Sequence, residues 1–243
     1  MTARRTTRPG QRTTRIALAS AALVTVTVAV TGCELTEKAT ESTQTYTVDG
    51  RTTELNVTTP GGAIEVVADD TADGKVKVTE RLLYDKKKPA TRHTLEGGRL
   101  KLTADDCGGA KSNCSVAYEV RVPRSVAVKL ETDGGDIDVK GTSGAVTART
   151  GGGDIGLTDC AAKQATADTD GGDIDARFTA VPDRVDGRSS GGRVSVRLPR
   201  GRYAVDAGTD GGDRRVTGDV DSGSPHKVKV HSDGGDVEVR AGR

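Results

Sequence analysis

Aspartates recur beside glycine pairs along the second half of the chain, and their spacing is the first feature that could do chemistry. Relative to the second glycine of each pair, the next residue is Asp136, Asp154, Asp173, Arg193, Asp213 or Asp236, and two places before it stand Asp133, Asp170, Asp210 and Asp233. In stacked repeats, like charges about 4.8 Å apart would repel by about 3 to 4 kcal/mol at an effective dielectric of 20. A bound Ca²⁺ would relieve this, because it favours several carboxylate and carbonyl oxygens presented on turns. The densest set of candidate ligands is Asp133, Asp136, Asp154, Asp170 and Asp173. Their period is near 20 residues, unlike the nine-residue calcium-binding repeat. The plainer reading has no cofactor: tight Asp-Gly turns leave the acids in water, and Arg193 bridges Asp173 and Asp213.

Catalytic patterns are weaker. His93, His226 and His231 have no metal-ligand spacing, and neither a Gly-x-Ser-x-Gly elbow nor a phosphate-binding loop occurs. Glycan-cleaving β-helices join acids to one distinctive base, whereas these acids repeat coil after coil, so a non-enzymatic role is expected. Lys86-Lys87-Lys88 before Pro89 reads as a solvated basic loop, and Arg197, Arg200, Arg202, Arg214 and Arg215 read as partners for nearby acids.

The elements that position these residues begin with an export signal. Arg4, Arg5, Arg8, Arg12 and Arg15 precede an uncharged apolar run from Ile16 to Val30, the n-region and h-region of a signal peptide over residues 1–32. As a helix that run would span roughly 22 Å, short of a hydrocarbon core of roughly 30 Å. Val30-Thr31-Gly32-Cys33 resembles the lipobox of bacterial lipoproteins, which implies lipidation of Cys33 and attachment to the outer face of the cytoplasmic membrane. Residues 33–45 read as the lipidated cysteine and a polar tether. Without the five leader arginines, 31 basic residues face 35 acidic ones, a net charge of −4, which argues against nucleic acid as a partner. Membrane attachment then rests on the lipid, at about 0.8 kcal/mol per buried methylene.

Cys107 and Cys114 flank a turn-rich segment between two strand-like runs. In an oxidising compartment they read as a disulfide across a hairpin, contributing roughly 2 to 3 kcal/mol. Cys160 is left as a buried thiol. With no Trp, one Phe, four Tyr and 32 Gly, the chain lacks the aromatic content of an ordinary globular core. Stacked β architectures, which bury small and β-branched side chains layer on layer, do not need it.

The repeat itself is explicit. Glycine pairs end at Gly62, Gly135, Gly153, Gly172, Gly192, Gly212 and Gly235, with spacings of 18, 19, 20, 20 and 23 from Gly135 onward. Seven and five places before the second glycine the residues are apolar, as in Val128 and Leu130, except at Gly187. Three places before it stand Thr59, Thr132, Thr150, Thr169, Ser189, Thr209 and Ser232, a hydroxyl each time. Two and four places after it the residues are again apolar, as in Ile137 and Val139, except at Arg214. Alternation by two on each side predicts two short strands per repeat, each with one buried face. The parity changes across the pair, so the chain must bend there to keep both apolar sets inward. Gly134, Gly135, Gly152, Gly153, Gly171, Gly172, Gly191, Gly192, Gly211, Gly212, Gly234 and Gly235 are therefore the structural corners, where positive φ is expected. The hydroxyls should form an inward ladder that satisfies the turn backbone.

Tyr118-Glu119-Val120-Arg121-Val122-Pro123, followed by Thr132-Asp133-Gly134-Gly135-Asp136-Ile137-Asp138-Val139 and its repeats, resembles the adhesin-like β-strand-repeat family of bacterial envelope proteins, whose function is unassigned. The resemblance covers roughly residues 46–240 and implies a right-handed β-solenoid with no catalytic residues to carry over.

The expected fold is thus all-β, a right-handed solenoid with coils of about 20 residues and parallel stacked strands, the alternative being an irregular β-sandwich. Residues 46–122 read as irregular early coils and a cap that includes a hairpin-like Lys75–Leu83, and residues 123–243 as the regular solenoid. The expected role is an extracytoplasmic, lipid-anchored module that binds cell-wall glycan or an envelope protein. Alternatives are an accessory or sensory subunit of an envelope-stress system and, third, a glycan-cleaving enzyme.

Overall fold

The computed structural model describes residues 24–25, 39–69, 74–105 and 114–242. Cys33, Cys107 and most of the leader lie outside the described residues. Within them the secondary structure is strand and turn alone, and no helix is long and apolar enough to cross a membrane.

The period-two pattern folds as read. In chain order the first strands are β1 (Val24–Thr25), β2 (Thr40–Val48), β3 (Glu54–Thr59), β4 (Ile64–Ala68), β5 (Val76–Tyr84), β6 (Thr91–Glu96), β7 (Arg99–Ala104) and β8 (Ser115–Val122). The repeats supply β9 (Ala127–Thr132), β10 (Ile137–Lys140), β11 (Val146–Thr150), β12 (Ile155–Cys160), β13 (Gln164–Thr169) and β14 (Ile174–Phe178). They continue through β15 (Arg184–Ser189), β16 (Val194–Leu198), β17 (Ala204–Thr209), β18 (Arg214–Thr217), β19 (Lys227–Ser232) and β20 (Val237–Ala241). The strand before each glycine pair enters one sheet and the strand after it enters the other, so the bend keeps both apolar sets facing a shared core. One coil of the solenoid is one such strand pair.

Like residues stack on like. Val128 pairs in register with Val146, Val146 with Ala165 and Ala165 with Val185, while Ile137 pairs with Ile155, Ile155 with Ile174 and Ile174 with Val194, all in parallel. Burying these columns without aromatics is what the composition requires, since each β-branched side chain packs against its copy one coil away. Gly187 is the vacancy in its column: a Cβ there would meet Val230 Cγ1 at 3.2 Å and Val194 Cγ1 at 3.4 Å, so its neighbours occupy the space. In β12 a bulge between Leu157 and Cys160, with Asp159 at φ 53°, returns Cys160 to the inward side opposite Phe178.

The spatial order of the coils departs from chain order at both ends. In space it runs β7/β8, β3/β4, β9/β10, β11/β12, β13/β14, β15/β16, β19/β20, β17/β18. The last coil is thus inserted between its two predecessors, and the first is enclosed by a later one. The hydroxyl-to-carbonyl bond at the corner recurs from coil to coil, so the corner alone does not fix which coil follows which.

Three boundaries change accordingly. The segment read as a hairpin, Lys75–Leu83, is for the most part the single strand β5, antiparallel to both β2 and β8. The strands flanking the Cys107 to Cys114 segment, β7 and β8, lie in different sheets, so they do not pair with each other as the two arms of a hairpin. Cys114 is disulfide-bonded. Residues 40–45, read as tether, belong to β2, which pairs with β5 along its whole length and shortens any tether.

Candidate functional site

The corners are built by the hydroxyl ladder. Thr150 Oγ1 donates to Gly135 O at 2.8 Å and accepts from Gly153 N at 3.1 Å; Thr169 does the same with Gly153 O (2.8 Å) and Gly172 N (3.1 Å). Ser189 and Ser232 repeat the motif at 2.7 to 2.8 Å. Each inward hydroxyl therefore ties its own turn to the turn of the coil beneath, satisfying backbone groups that water cannot reach.

The corner glycines serve a purpose different from the one expected. Apart from Gly62, at φ 117°, none of the corner pairs adopts positive φ. A Cβ on Gly135, Gly153, Gly172 or Gly192 would instead come within 2.1 to 2.2 Å of the carbonyl oxygen one coil away. Glycine is required there because successive backbones approach too closely for any side chain.

The aspartate file after the corner is also structural. Asp136 Oδ1 accepts the backbone N–H of Asp154 at 2.9 Å, Asp154 Oδ1 that of Asp173 at 2.7 Å, Asp173 Oδ1 that of Arg193 at 2.7 Å, and Asp236 Oδ1 that of Asp213 at 2.9 Å. An amide dipole pointed at each carboxylate offsets the repulsion within the file. Arg193 Nη2 reaches Asp173 at 3.2 Å, but Asp213 is two coils away because β20 stands between β16 and β18. The expected bridge to Asp213 is therefore replaced by a single pairing.

Asp133 and Asp170, in the file before the corner, are separated by Gly151 in the intervening coil, whose backbone rests on Asp133. Among the described residues one group of three or more ligand-type side chains converges, and it contains none of Asp133, Asp136, Asp154, Asp170 and Asp173.

Outside the corners, chemistry lies on the outer face of the sheet holding β10 to β20. One row carries Glu65, Asp138, Asp175 and Glu238, and the row beside it Lys140, Arg177, Arg197 and Arg240, each member one or two coils from the next. Arg197 Nη1 meets Asp175 Oδ1 at 2.8 Å and Arg240 Nη2 meets Glu238 Oε1 at 2.6 Å. Burial, then Asp136, Glu65 and Asp154, hold the Asp138 carboxyl above the usual aspartate range. Exposed pairs of this kind contribute little to stability. Their effect is to present a regular surface of alternating sign.

One polar site escaped the sequence reading. Glu80, 1% exposed, accepts from Tyr46 Oη at 2.6 Å and from Gln44 Nε2, which also donates to Thr91 Oγ1 at 3.1 Å. His93 stacks on Tyr46 with centroids 4.7 Å apart, and the nearby Tyr118 hydroxyl is buried. Burial first, then Glu80, push both tyrosine hydroxyls far above their ordinary value. Val76, Val78, Glu80 and Leu82 share one parity, so alternation alone places Glu80 inward. The other histidine neighbourhoods are separate: His226 Nδ1 lies 2.9 Å from Pro182 O, and His231 sits beside Asp233. Cys160 is fully buried, with its thiol pushed up to about 11, chiefly by burial, as an unreactive core thiol requires.

This combination of glycine corners, hydroxyl ladder and parallel columns has a counterpart among family models, one of which matches residues 16–240. The chain belongs to the Toastrack DUF4097 family. Solved structures with similar folds include a candidate cell adhesion protein from Clostridium sporogenes, 12% identical, covering 84% of this chain and 100% of that one with a TM-score of 0.46. A candidate adhesin from Bacteroides fragilis is 14% identical over 86% and 100% of the two chains, with a TM-score of 0.43. A candidate lipid-binding protein from Parabacteroides distasonis is 11% identical over 81% and 96%, with a TM-score of 0.37. At these identities a Toastrack chain shares fold alone with them. No curated protein matches the chain.

Proposed function

We propose that this Toastrack protein is a non-enzymatic envelope module, anchored outside the cytoplasmic membrane through lipid on Cys33, whose solenoid binds cell-wall glycan. The observation that carries the reading is the pair of outward rows, Glu65, Asp138, Asp175 and Glu238 beside Lys140, Arg177, Arg197 and Arg240. Each charge binds weakly. Repetition at coil spacing lets a polymer bearing both carboxylates and amines engage several at once, and multivalent contact multiplies weak affinities. The corner aspartates, which in isolation suggest catalysis or calcium, are occupied in holding coils together.

The test is sedimentation of the protein with purified cell-wall sacculi. The parent chain should pellet, and the triple variant Arg177→Glu, Arg197→Glu, Arg240→Glu should lose at least about tenfold in affinity while melting as one cooperative unit. Equal binding by the two, or release of reducing sugars from the wall, would sink the proposal. Capture of one membrane protein and no wall material would favour the accessory-subunit role. For the anchor, Cys33→Ser should release a folded, soluble chain; continued membrane association would rule the lipid out as its mount.

A further inference from the structure

The file of acids two places before the corner glycine is interrupted through most of the stack. In spatial order it reads Asp133, Gly151, Asp170, Ser190, Asp233, Asp210. Two members are neighbours only at the end, where β19 lies against β17. There a third group joins them: His231 Nε2 is 3.2 Å from Asp233 Oδ1 and 3.7 Å from Asp210 Oδ2. One ligand atom from each of the three lies within 4.8 Å of the others.

We propose that Asp210, His231 and Asp233 bind a borderline divalent cation, with zinc the best fit. Two donors each about 2.1 Å from one ion stand about 3.4 Å apart at the tetrahedral angle, and the two separations from His231 Nε2, 3.2 and 3.7 Å, bracket that value. One imidazole nitrogen with two carboxylates suits zinc better than calcium, which prefers six to eight oxygens.

Two further observations shape the site for a ligand. His231 pairs in register with Gly208, and a Cβ on Gly208 would stand 3.1 Å from His231 Nδ1. The corresponding residues in the other coils are Thr103, Thr58, Glu131, Arg149, Asp168 and Arg188, so the glycine makes room for the ring where every other coil has a side chain. Secondly, the His231 ring itself lines an open groove of about 500 Å³, together with Asp168, Arg188 and Gly208, so the imidazole is reached from solvent. Arg188 Nη2 lies 3.4 Å from both Asp233 oxygens and holds that carboxylate in place beside His231. With Asp210 from one coil and His231 and Asp233 from the other, the ion would fasten the outermost coil to its neighbour.

The experiment is zinc titration of the chelator-stripped full chain by calorimetry, paired with thermal melts. One zinc per chain should bind, and saturating zinc should raise the melting midpoint by several degrees, roughly as mass action requires. His231→Gln, which nearly preserves the shape of the ring's reach without its ligand geometry, and Asp210→Asn should each weaken binding at least about tenfold and abolish the rise, while their metal-free melts stay close to the parent. Asp136→Asn should leave binding unchanged, and calcium should give no rise. Absence of zinc binding at about 0.1 mM, well above the dissociation constant of a structural zinc site, or zinc binding that His231→Gln leaves intact, would overturn the assignment.

Discussion

The two ends of the stack face the same problem and resolve it differently. Beyond β7/β8 the sheets continue into β6 on one side and into the antiparallel β5 and β2 on the other, burying Tyr46, Val48, Val76, Val78 and Leu82 over the last parallel coil. At the opposite end β17/β18 is the last coil of both sheets among the described residues, and its Val205, Ala207 and Val216 are only half-buried. An apolar column cannot simply stop at water without inviting another edge to pair with it. The first end adds strands of reversed direction. The second places Arg214 in the column that holds Ile or Val from β4 to β20, and its Nε donates to Ala207 O at 2.7 Å. In this solenoid one end is closed by extra chain and the other meets solvent at one charged residue, and only the first contains a buried polar cluster.

The largest effects should come from comparing an interior coil with the open end. Gly172→Ala puts a methyl 2.1 Å from Gly153 O between two fixed coils and should cost about 3 kcal/mol or more in denaturant melts. Gly212→Ala makes a similar clash against Gly235, but the outermost coil can yield, so about half that loss is expected. Equal losses would mean the end coil is as firmly held as the middle. At the closed end, Glu80→Ala removes the acceptor shared by Tyr46 and Gln44 and should cost about 3 kcal/mol, with Tyr46→Phe costing about 1. At the open end, Arg214→Ile should change stability by less than about 1 kcal/mol yet promote self-association in light scattering, since the column then ends bare. A monodisperse Arg214→Ile variant would show that the arginine is not what guards this end.

The smallest effect concerns pH. Because the Asp138 carboxyl is raised in the folded chain, folding binds its proton more tightly. Its contribution is present in acid, is lost as pH rises through the range just above the ordinary aspartate value, and stays lost at neutrality. Asp138→Asn should be slightly more stable than the parent at pH 7, by no more than about 0.5 kcal/mol after allowance for solvent screening, and should match the parent at pH 3. A gain that persists in acid would point to a cause other than charge.

How far the amino-acid pattern reaches is clearest in particular residues. Phase, strand parity and the hydroxyl ladder follow from Thr150, Thr169 and Ser189 recurring before each glycine pair, because a period-two pattern fixes which side chains face inward. Coil order does not follow. The corner bonds of Ser232 to Gly192 and of Thr209 to Gly235 are chemically the same, so nothing local says which coil lies outermost. Arg214 was the available signal, an odd residue in an apolar column. The need for glycine was legible while its cause was not, because close approach between coils depends on stacking distance and positive φ on the turn alone. The calcium reading treated the acids as one cluster, whereas stacking separates Asp133 from Asp170 and gives Asp136 and Asp154 an amide each.

The insertion of β19/β20 between β15/β16 and β17/β18 also bears on how the chain is made. A chain delivered N-terminus first exposes Ala204–Thr209 before Lys227–Ser232, the strand it must rest on, has been synthesised. That coil has to wait, or dock on β15 and later give way. Completion of the solenoid thus depends on β19/β20: a chain cut short before them would leave β17/β18 without the strands it rests on and β15/β16 with an unpaired edge.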